Sequence, residues 1–363
     1  MRNLKKSWWA IFALFFVAVA CKKDDDNPDP VEVAESKGFY IINEGIFSQG
    51  NASLSFYDYE KDSMYNDLFY SINSRPLGDV FQNLVFNQGK AYLVMNYSNK
   101  IEVADSASMK SITTVTGLTA PNAIFFYGSK AYITDMYSGK IGVYNAASMT
   151  KLSDIEVGGS TDQILAHNGK LVVNIQQSSG YAGDVRKGIL VINPDADTVE
   201  KYVELKEGAS QLLIDINNKL WVYCAGHWDG PVNGAIYRLN LSDYSIEKEF
   251  PLGVSTYSAV PMVMNKAKTE IYYILPDLSG GVNENDVFKI PVTASALSTS
   301  PVYNGADKWL YGFNVDEERG ELLLLDAVDG AQKGNFIRAD LNTGKDIASY
   351  EVGYFPKNAI IKR

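Results

Sequence analysis

The chain has 363 residues, of which 43 are acidic and 33 are basic, and its formal net charge at pH 7 is −10. This acidic balance argues against nucleic acid or an anionic membrane surface as a partner. Two histidines and two cysteines are too few for a disulfide framework, and they do not have the spacing of a zinc site.

The first residues are typical of a secreted lipoprotein. Residues 1–20 have a basic start, an apolar stretch shorter than the ~20 residues that cross a bilayer, and a small-residue end, Ala18-Val19-Ala20. Cys21 follows at once, which resembles the bacterial lipobox, so we expect Cys21 to be the lipid attachment site. Residues 21–36 are predicted to be a flexible acidic tether. Within it, residues 22–26 resemble the surface-export signal of Bacteroidota lipoproteins. The expected location is therefore the outer membrane, with a lipid anchor as the only membrane attachment and the protein facing the exterior.

Residues 37–363 repeat one pattern of strands. A glycine-led turn comes before a short strand, a tight turn such as Gln88-Gly89 or Asn168-Gly169, and a stronger strand rich in β-branched and aromatic residues. A third strand and a weaker fourth strand follow in most units. The leading glycines are Gly78, Gly117, Gly158, Gly208, Gly253, Gly305 and Gly353. A period of about 40–50 residues with four short strands is typical of propeller blades.

The two ends of the chain complete the count of blades. Residues 39–42, 54–57 and 65–69 read as the second to fourth strands of a blade, and residues 358–361 read as its first strand. We therefore predict an all-β fold, a seven-bladed β-propeller of four-stranded antiparallel blades, in which the N- and C-terminal strands share one blade and close the ring. A pair of β-sandwiches would not repeat one pattern along the whole chain.

No catalytic or metal-binding constellation is visible. His167 lies in a predicted hairpin turn, and Cys224 lies in an apolar run typical of a buried thiol. The loop Asn283-Glu284-Asn285-Asp286 has oxygen ligands that suit calcium but lacks the EF-hand pattern, so a solvated loop is expected. We predict no catalytic residue, no metal site and no required cofactor.

The loops between the second and third strands, together with the segments that lead into each first strand, are predicted to form a recognition surface on one face. Rings supply flat contact area, and side-chain amides both donate and accept hydrogen bonds, which suits a large ligand rich in amides or hydroxyls. The candidate ligand-binding residues are Asn43, Phe47, Gln82, Asn83, Asn96, Tyr97, Asn122, Tyr137, Gln163, Gln176, Tyr181, Gln211, His227, Trp228, Tyr257, Trp309 and Tyr311.

The start of the predicted propeller resembles a known family. Gly38-Phe39-Tyr40-Ile41-Ile42-Asn43-Glu44-Gly45 and Asn51-Ala52-Ser53-Leu54-Ser55-Phe56-Tyr57 are similar to the YncE-like propeller lipoproteins of Bacteroidota, the DUF5074 group. Some members of this group capture cobalamin at the cell surface and pass it to a TonB-dependent outer-membrane transporter. The resemblance implies cobalamin as a possible bound ligand and such a transporter as a partner, but it assigns no corrinoid contact to a residue.

The first hypothesis for function is therefore a surface-anchored, non-enzymatic binding protein that captures a nutrient, with a corrinoid as the expected ligand. A propeller enzyme such as a lyase or lactonase is an alternative from a different class, and it needs a metal or an acid–base group at the mouth of the channel. A protein-docking scaffold or a glycan-binding lipoprotein is a further alternative.

Overall fold

Seven antiparallel sheets form the blades of a β-propeller, as the repeat predicts. The computed structural model describes residues 33, 36–176, 186–227, 232–276 and 285–363. The predicted signal segment, Cys21 and nearly all of the predicted tether lie outside the described residues. Within the described ranges no helix is long and apolar enough to cross a membrane.

The strands follow the chain from blade to blade. Blade 1 contains β1 (Gly38–Asn43), β2 (Ser53–Asp58) and β3 (Ser63–Tyr65), and the helix α1 (Leu68–Asn73) leads from it to the next blade. Blade 2 contains β4 (Phe81–Asn87), β5 (Lys90–Met95), β6 (Lys100–Asp105) and β7 (Ser111–Val115). Blade 3 contains β8 (Pro121–Tyr127), β9 (Lys130–Asp135), β10 (Lys140–Asn145) and β11 (Lys151–Glu156). Blade 4 contains β12 (Ser160–His167), β13 (Lys170–Gln176), β14 (Gly188–Asn193) and β15 (Thr198–Glu204).

The remaining blades repeat this order. Blade 5 contains β16 (Ala209–Ile214), β17 (Lys219–Gly226), β18 (Asn233–Asn240) and β19 (Ile246–Pro251). Blade 6 contains β20 (Met262–Met264), β21 (Glu270–Pro276) and β22 (Asn285–Pro291). Blade 7 contains β23 (Leu310–Asp316), β24 (Glu321–Asp326), β25 (Asn335–Asp340) and β26 (Asp346–Glu351), and the chain ends in β27 (Pro356–Lys362).

The ring closes as the sequence predicts, because β27 pairs with β1 and becomes the innermost strand of blade 1. The pairing aligns Phe39 with Ile361 and Ile41 with Ala359. A buried polar network reinforces this closure from blade 7. The Arg338 guanidinium donates two hydrogen bonds to the Glu321 carboxylate, at 2.8 and 2.6 Å, and a third to the hydroxyl of Tyr57 in blade 1 at 2.6 Å.

The predicted tight turns form because their residues adopt positive φ. Gln88 and Gly89 have φ of 48° and 73°, and Asn168 and Gly169 have φ of 46° and 74°. Two consecutive residues with positive φ give a turn whose twist matches that of antiparallel strands. These turns therefore fix the register of the first two strands in blades 2 and 4.

Two local predictions need correction. Residues 65–69 were expected to form a strand, but β3 ends at Tyr65 and α1 begins at Leu68. The helix buries the side chains of Leu68 and Phe69 and leaves Tyr70 and Ser71 exposed. Blade 6 has three strands among the described residues, and an isolated bridge between Val287 and Tyr303 stands where a fourth strand would run.

The apolar core lies between neighbouring blades. Each main cluster combines strands from two adjacent sheets, as where Val172 and Ile189 of blade 4 pack with Leu212 and Val222 of blade 5. Cys224 belongs to this cluster and is fully buried, as its apolar run predicts. Since the blades pack in this way, the first residues of the innermost strands lie around the central channel, and their polar side chains form the site described next.

Candidate functional site

An open cavity of about 520 Å³ lies on the face that carries the loops after the second strands, which we call the upper face. Its lining comes from blades 3 to 6 and includes four of the predicted ligand-binding residues: Tyr137, Gln176, His227 and Tyr257. A concave volume of this size is within the range of small-molecule sites, roughly 300–1,000 Å³. We call it the upper cavity.

Two tyrosine rings at the edge of the upper cavity are open to solvent. Tyr137 is 49% exposed and Tyr257 is 62% exposed. The loop that carries Tyr137 is held by Asp135, whose Oδ1 accepts hydrogen bonds from the backbone N–H groups of Tyr137 at 2.8 Å and Ser138 at 2.6 Å. The Tyr137 ring is thus presented from an ordered turn, and both exposed rings can stack against a ligand.

Hydrogen-bonding groups also line the upper cavity. Ser210 has a buried Oγ with no hydrogen-bond partner within the described residues. Thr256 has its Oγ1 engaged by the Tyr223 hydroxyl at 2.9 Å, and the Glu207 carboxylate lies 3.6 Å from the Lys187 ammonium. The backbone N–H of His227 donates to the carbonyl of Val232 at 2.9 Å. The cavity therefore combines exposed rings with hydrogen-bonding groups.

An aromatic cluster continues from the upper cavity toward blade 7. The ring of Tyr257 lies about 6 Å from the rings of Trp309 (6.1 Å) and Tyr311 (6.0 Å), measured between centroids. Phe355 packs edge-on against both, at 5.5 Å from Trp309 and 5.2 Å from Tyr311. Tyr311 is 6% exposed, so it forms the buried base of the cluster.

A charged group lies in the central channel next to this cluster. Glu44 follows β1, and its Oε2 accepts a hydrogen bond from the Tyr311 hydroxyl at 3.1 Å and lies 3.8 Å from the Lys357 ammonium. Lys357 in β27 also donates to the Gln82 side chain at the start of β4. Asp162 in β12 interacts electrostatically with both Lys357 and Glu44. Because blade 4 is not a neighbour of blade 1, this interaction acts across the channel. We call Glu44, Asp162, Lys357 and Gln82 the channel cluster.

Burial has the largest effect on the pKa of both carboxyls in the channel cluster. It raises the pKa of Glu44, and the ammonium of Lys357 and the hydroxyl of Tyr311 oppose this rise only in part. Burial also raises the pKa of Asp162, again with Lys357 acting in the opposite direction. Both carboxylates are thus less stable in the ionised form than they would be in water.

Several predicted amides connect neighbouring blades instead of lining the upper cavity. Asn96 donates from Nδ2 to the carbonyl of Ala120 at 3.1 Å, and Asn122 donates to the carbonyl of Thr161 at 2.8 Å. Gln163 accepts from the backbone N–H of Leu212 at 2.6 Å. Asn43 is fully buried and donates to Ser53 and Ser55 within blade 1. We call the first three, which bond to the next blade, the amide clasps.

The other predicted residues are spread over the upper face or lie beyond what the structure describes. Phe47 and Tyr97 form an exposed pair with ring centroids 4.3 Å apart. Asn83 has a buried Oδ1 with no hydrogen-bond partner within the described ranges, and Gln211 pairs with Tyr223 in the sheet. Tyr181 and Trp228 lie outside the described residues, as does Cys21.

No group of three or more Asp, Glu, His or Cys that could hold a metal ion is present in the described part of the chain. Residues 283 and 284 of the proposed calcium loop lie outside it. Asn285 and Asp286 instead serve the fold: Nδ2 of Asn285 donates to the carbonyl of Leu310, and Oδ1 of Asp286 accepts from the backbone N–H of Gly305.

The sequence interpretation missed the ionisable members of the channel cluster. Glu44 lies in residues 38–45, the segment that resembles the family, but it is not among the predicted ligand-binding residues. Asp162 and Lys357 are not among them either. A signal was available, because Gln82, Asp162 and Lys357 each occupy the second or third position of an innermost strand. Aligning the repeats on these strands would have placed the three side chains around one channel.

Comparisons with known proteins agree with this fold. The sequence profile of DUF5074, a domain of unknown function, matches residues 37–362. No curated protein sequence matches the chain. A quinoprotein alcohol dehydrogenase-like protein from Bacteroides thetaiotaomicron is 14% identical with a TM-score of 0.62, over 90% of this chain and 79% of that one. A protein from Lactobacillus plantarum is 13% identical with a TM-score of 0.59, over 90% and 99%. Hydrazine synthase from Kuenenia stuttgartiensis is 14% identical with a TM-score of 0.58, over 76% and 92%. At these identities the likeness concerns the fold alone.

Proposed function

The chain belongs to the DUF5074 family, and from this premise we propose that it binds a large, amide-rich small molecule of the corrinoid class, such as cobalamin, in the upper cavity. The observation that carries the proposal is the open cavity of about 520 Å³, which can take part of so large a molecule, with the exposed rings of Tyr137 and Tyr257 at its edge to contact the part that projects. The buried Oγ of Ser210 in the same cavity has no partner among the described residues, which favours a ligand that brings its own hydrogen-bonding groups.

The chemistry of the lining supports a binding role. A corrinoid presents a broad apolar ring system surrounded by amide side chains, so it can stack on tyrosine rings and exchange hydrogen bonds with Gln176 and Ser210. The described residues lack a three-residue metal cluster, and the proposal requires no cofactor.

The proposed setting of this role is the outer surface of the cell. The resemblance of residues 1–36 to a lipidated, exported N-terminus supports a lipid anchor at Cys21, and the family resemblance supports delivery of the ligand to a TonB-dependent outer-membrane transporter. In cell fractionation, the Cys21→Ser variant should leave the membrane fraction, whereas the unchanged protein should remain there. Retention of the variant in the membrane would contradict the lipid anchor.

Calorimetric titration of the full-length protein in detergent with cyanocobalamin tests the ligand. We expect one-to-one binding, and a Tyr137→Ala/Tyr257→Ala variant should bind at least about tenfold more weakly, since each stacked ring contributes about 0.5–1.5 kcal/mol beyond its buried area. The matched control is Phe47→Ala/Tyr97→Ala, which removes an equally exposed pair of rings from the same face but outside the upper cavity. An equal loss in both variants would place the ligand elsewhere on the face, and no binding by the unchanged protein would eliminate the corrinoid.

A further inference from the structure

Blade 1 has an opening where its outermost strand stops early. β3 pairs with β2 at Phe56, Tyr57 and Asp58, so it does not continue beside residues 53–55 in the upper half of β2. The chain turns into α1 after this point. A cavity of about 380 Å³ lies here, lined by β2, by α1 and by the segment that follows β26. We call it the α1 cavity, and among the described residues it shares no lining residue with the upper cavity.

Hydrogen bonds to the neighbouring blades hold the helical wall of the α1 cavity in place. Asn73, the last residue of α1, donates from Nδ2 to the carbonyl of Met109 at 3.0 Å, and its Oδ1 accepts from the backbone N–H of Ser111 at 2.8 Å. Before α1, Asn66 donates from Nδ2 to the carbonyl of Glu351 in blade 7 at 2.9 Å. Because α1 is tied to blade 2 and blade 7, the cavity is largely preformed, as small-molecule sites usually are.

The buried part of the lining is apolar. Four of the lining residues are at most 2% exposed: Leu54, Phe69, Leu77 and Val352. A ligand must place an apolar group against these side chains, because a hydroxyl or a charge there would lose its hydrogen bonds to water without replacement. A sugar carries hydroxyls around its whole ring and does not meet this condition.

The more exposed lining residues offer aromatic faces and a hydrogen-bond donor. Tyr70 on α1 is 57% exposed, and Tyr354 is half-buried. Ring faces of this kind favour a planar aromatic ligand, which can stack on them. Oδ1 of Asn51 accepts from the backbone N–H of Ile46 at 2.8 Å. This bond fixes the amide, so a ligand would meet Nδ2 of Asn51 as a donor.

The charges in the lining balance each other. Asp67 contributes a carboxylate and Lys333 an ammonium, and Lys333 also forms an ion pair with Glu351 at 3.0 Å. An uncharged ligand is therefore favoured, because neither sign is in excess to compensate a charge that leaves water. A hydroxyl group suits this lining, since it can accept from the Asn51 amide and donate to the Asp67 carboxylate.

We propose that the α1 cavity binds an uncharged, planar aromatic alcohol, a molecule of the phenol class. Its ring would pack against Leu54, Val352 and the face of Tyr70, and its hydroxyl would bond to Asn51 and Asp67. In this arrangement the ring buries apolar area and the hydroxyl keeps its hydrogen bonds. This site goes beyond the corrinoid proposal, because it is a second cavity with a different ligand and does not depend on the first.

The probe is 2-naphthol, a planar aromatic alcohol that is uncharged at pH 7. Two related compounds separate the contributions: decahydro-2-naphthol keeps the hydroxyl but has no aromatic faces, and naphthalene keeps the rings but has no hydroxyl. The full-length protein is dialysed to equilibrium against the same detergent solution without protein, so that uptake by micelles is equal on both sides. We expect saturable one-to-one binding of 2-naphthol, and at least about threefold weaker binding of either related compound.

The Tyr70→Ala variant should bind 2-naphthol about fivefold more weakly, because it removes the exposed ring face. The matched control is Tyr97→Ala, which removes a ring that is 47% exposed and lies outside the α1 cavity, and it should change the affinity less than about twofold. The comparison of the three compounds needs no variant. No saturable binding by the unchanged protein, equal binding of decahydro-2-naphthol, or equal weakening in both variants would overturn the proposal.

Cyanocobalamin distinguishes this site from the corrinoid site. At a saturating concentration it should leave the affinity for 2-naphthol unchanged, because the two cavities are lined by different residues. Displacement of 2-naphthol would place the probe in the upper cavity and overturn the proposal. Failure of cyanocobalamin itself to bind would contradict the corrinoid proposal alone, since 2-naphthol binding is measured without it.

Discussion

Replacing Lys357 by methionine removes the only ammonium of the channel cluster and keeps a side chain of similar length. The Lys357 ammonium lies 3.8 Å from Oε2 of Glu44, and the two side chains are only 13% and 16% exposed. The Lys357→Met variant therefore leaves two half-buried carboxyls without a compensating charge, and we expect it to lower the free energy of unfolding at pH 7.

The size of this loss follows from the distance. Two unit charges about 4 Å apart interact by about 4 kcal/mol at the effective dielectric constant of ~20 that suits such sites. Methionine avoids the desolvation penalty that the ammonium carries, which reduces the net loss. We therefore expect the free energy of unfolding to fall by about 2–4 kcal/mol at pH 7.

The loss should depend on pH in a definite direction. Burial already raises the pKa of Glu44 above its ordinary 4.5 and that of Asp162 above its ordinary 3.8, and removing Lys357 raises both further. A carboxyl whose folded pKa is raised lowers stability only where it ionises, so the penalty begins as the pH rises past the unfolded values and grows through the folded ones. Below about pH 4 the variant and the unchanged protein should have similar stability.

Urea unfolding of both proteins at pH 7 and near pH 4 measures this difference. The matched control is Lys333→Met, because Lys333 forms an exposed ion pair with Glu351 at 3.0 Å and should contribute at most about 1 kcal/mol. A loss of equal size at both pH values would refute the electrostatic argument and indicate that Lys357 acts through packing alone.

Three further predictions concern the fold. The Glu321→Gln variant, which breaks the buried pair with Arg338, should lose about 3–5 kcal/mol in urea unfolding, and a loss below 1 kcal/mol would contradict the role given to this network in closing the ring. Gly330→Ala should lower the thermal unfolding midpoint, because Gly330 has φ of 73° and a Cβ there would meet the ring of Phe355 at 2.7 Å; an unchanged midpoint would contradict this. Burial raises the pKa of the Cys224 thiol, so peptide mapping should find it alkylated by maleimide in urea but not in the native protein, and native labelling would show that this core opens.

The fold was predictable because its signals are local and repeated. Asn168-Gly169 specifies a tight turn wherever it occurs between apolar runs, and seven repetitions of one pattern leave few alternative architectures. Residues 65–69, where the predicted strand is wrong, lack such a local and repeated signal. Tyr65, Leu68 and Phe69 flank the polar pair Asn66-Asp67, so the segment has no clear period of a strand or of a helix, and α1 buries Leu68 and Phe69.

The candidate site was predictable only in part, since composition does not tell which polar groups already have partners. Tyr137 and Tyr257 line the upper cavity, whereas Asn96 and Asn122 are used as amide clasps between blades. Before folding, an amide that ties two blades and an amide that is free for a ligand look the same. The two kinds of amide can be distinguished only in the folded structure, where backbone carbonyls lie next to the clasp amides.

This difference in partners gives a physical criterion for where ligands act on this propeller. The clasp amides of Asn96 and Asn122 donate within the fold, so replacing them should destabilise the protein before it alters recognition. Asp162 shows the reverse pattern, because burial raises the pKa of its carboxyl and no described residue donates a hydrogen bond to it. The Asp162→Asn change should therefore leave the free energy of unfolding at pH 7 unchanged or increase it, which urea unfolding measures; a clear loss would contradict this reasoning. A side chain that opposes folding is expected at a functional site and not in a structural clasp.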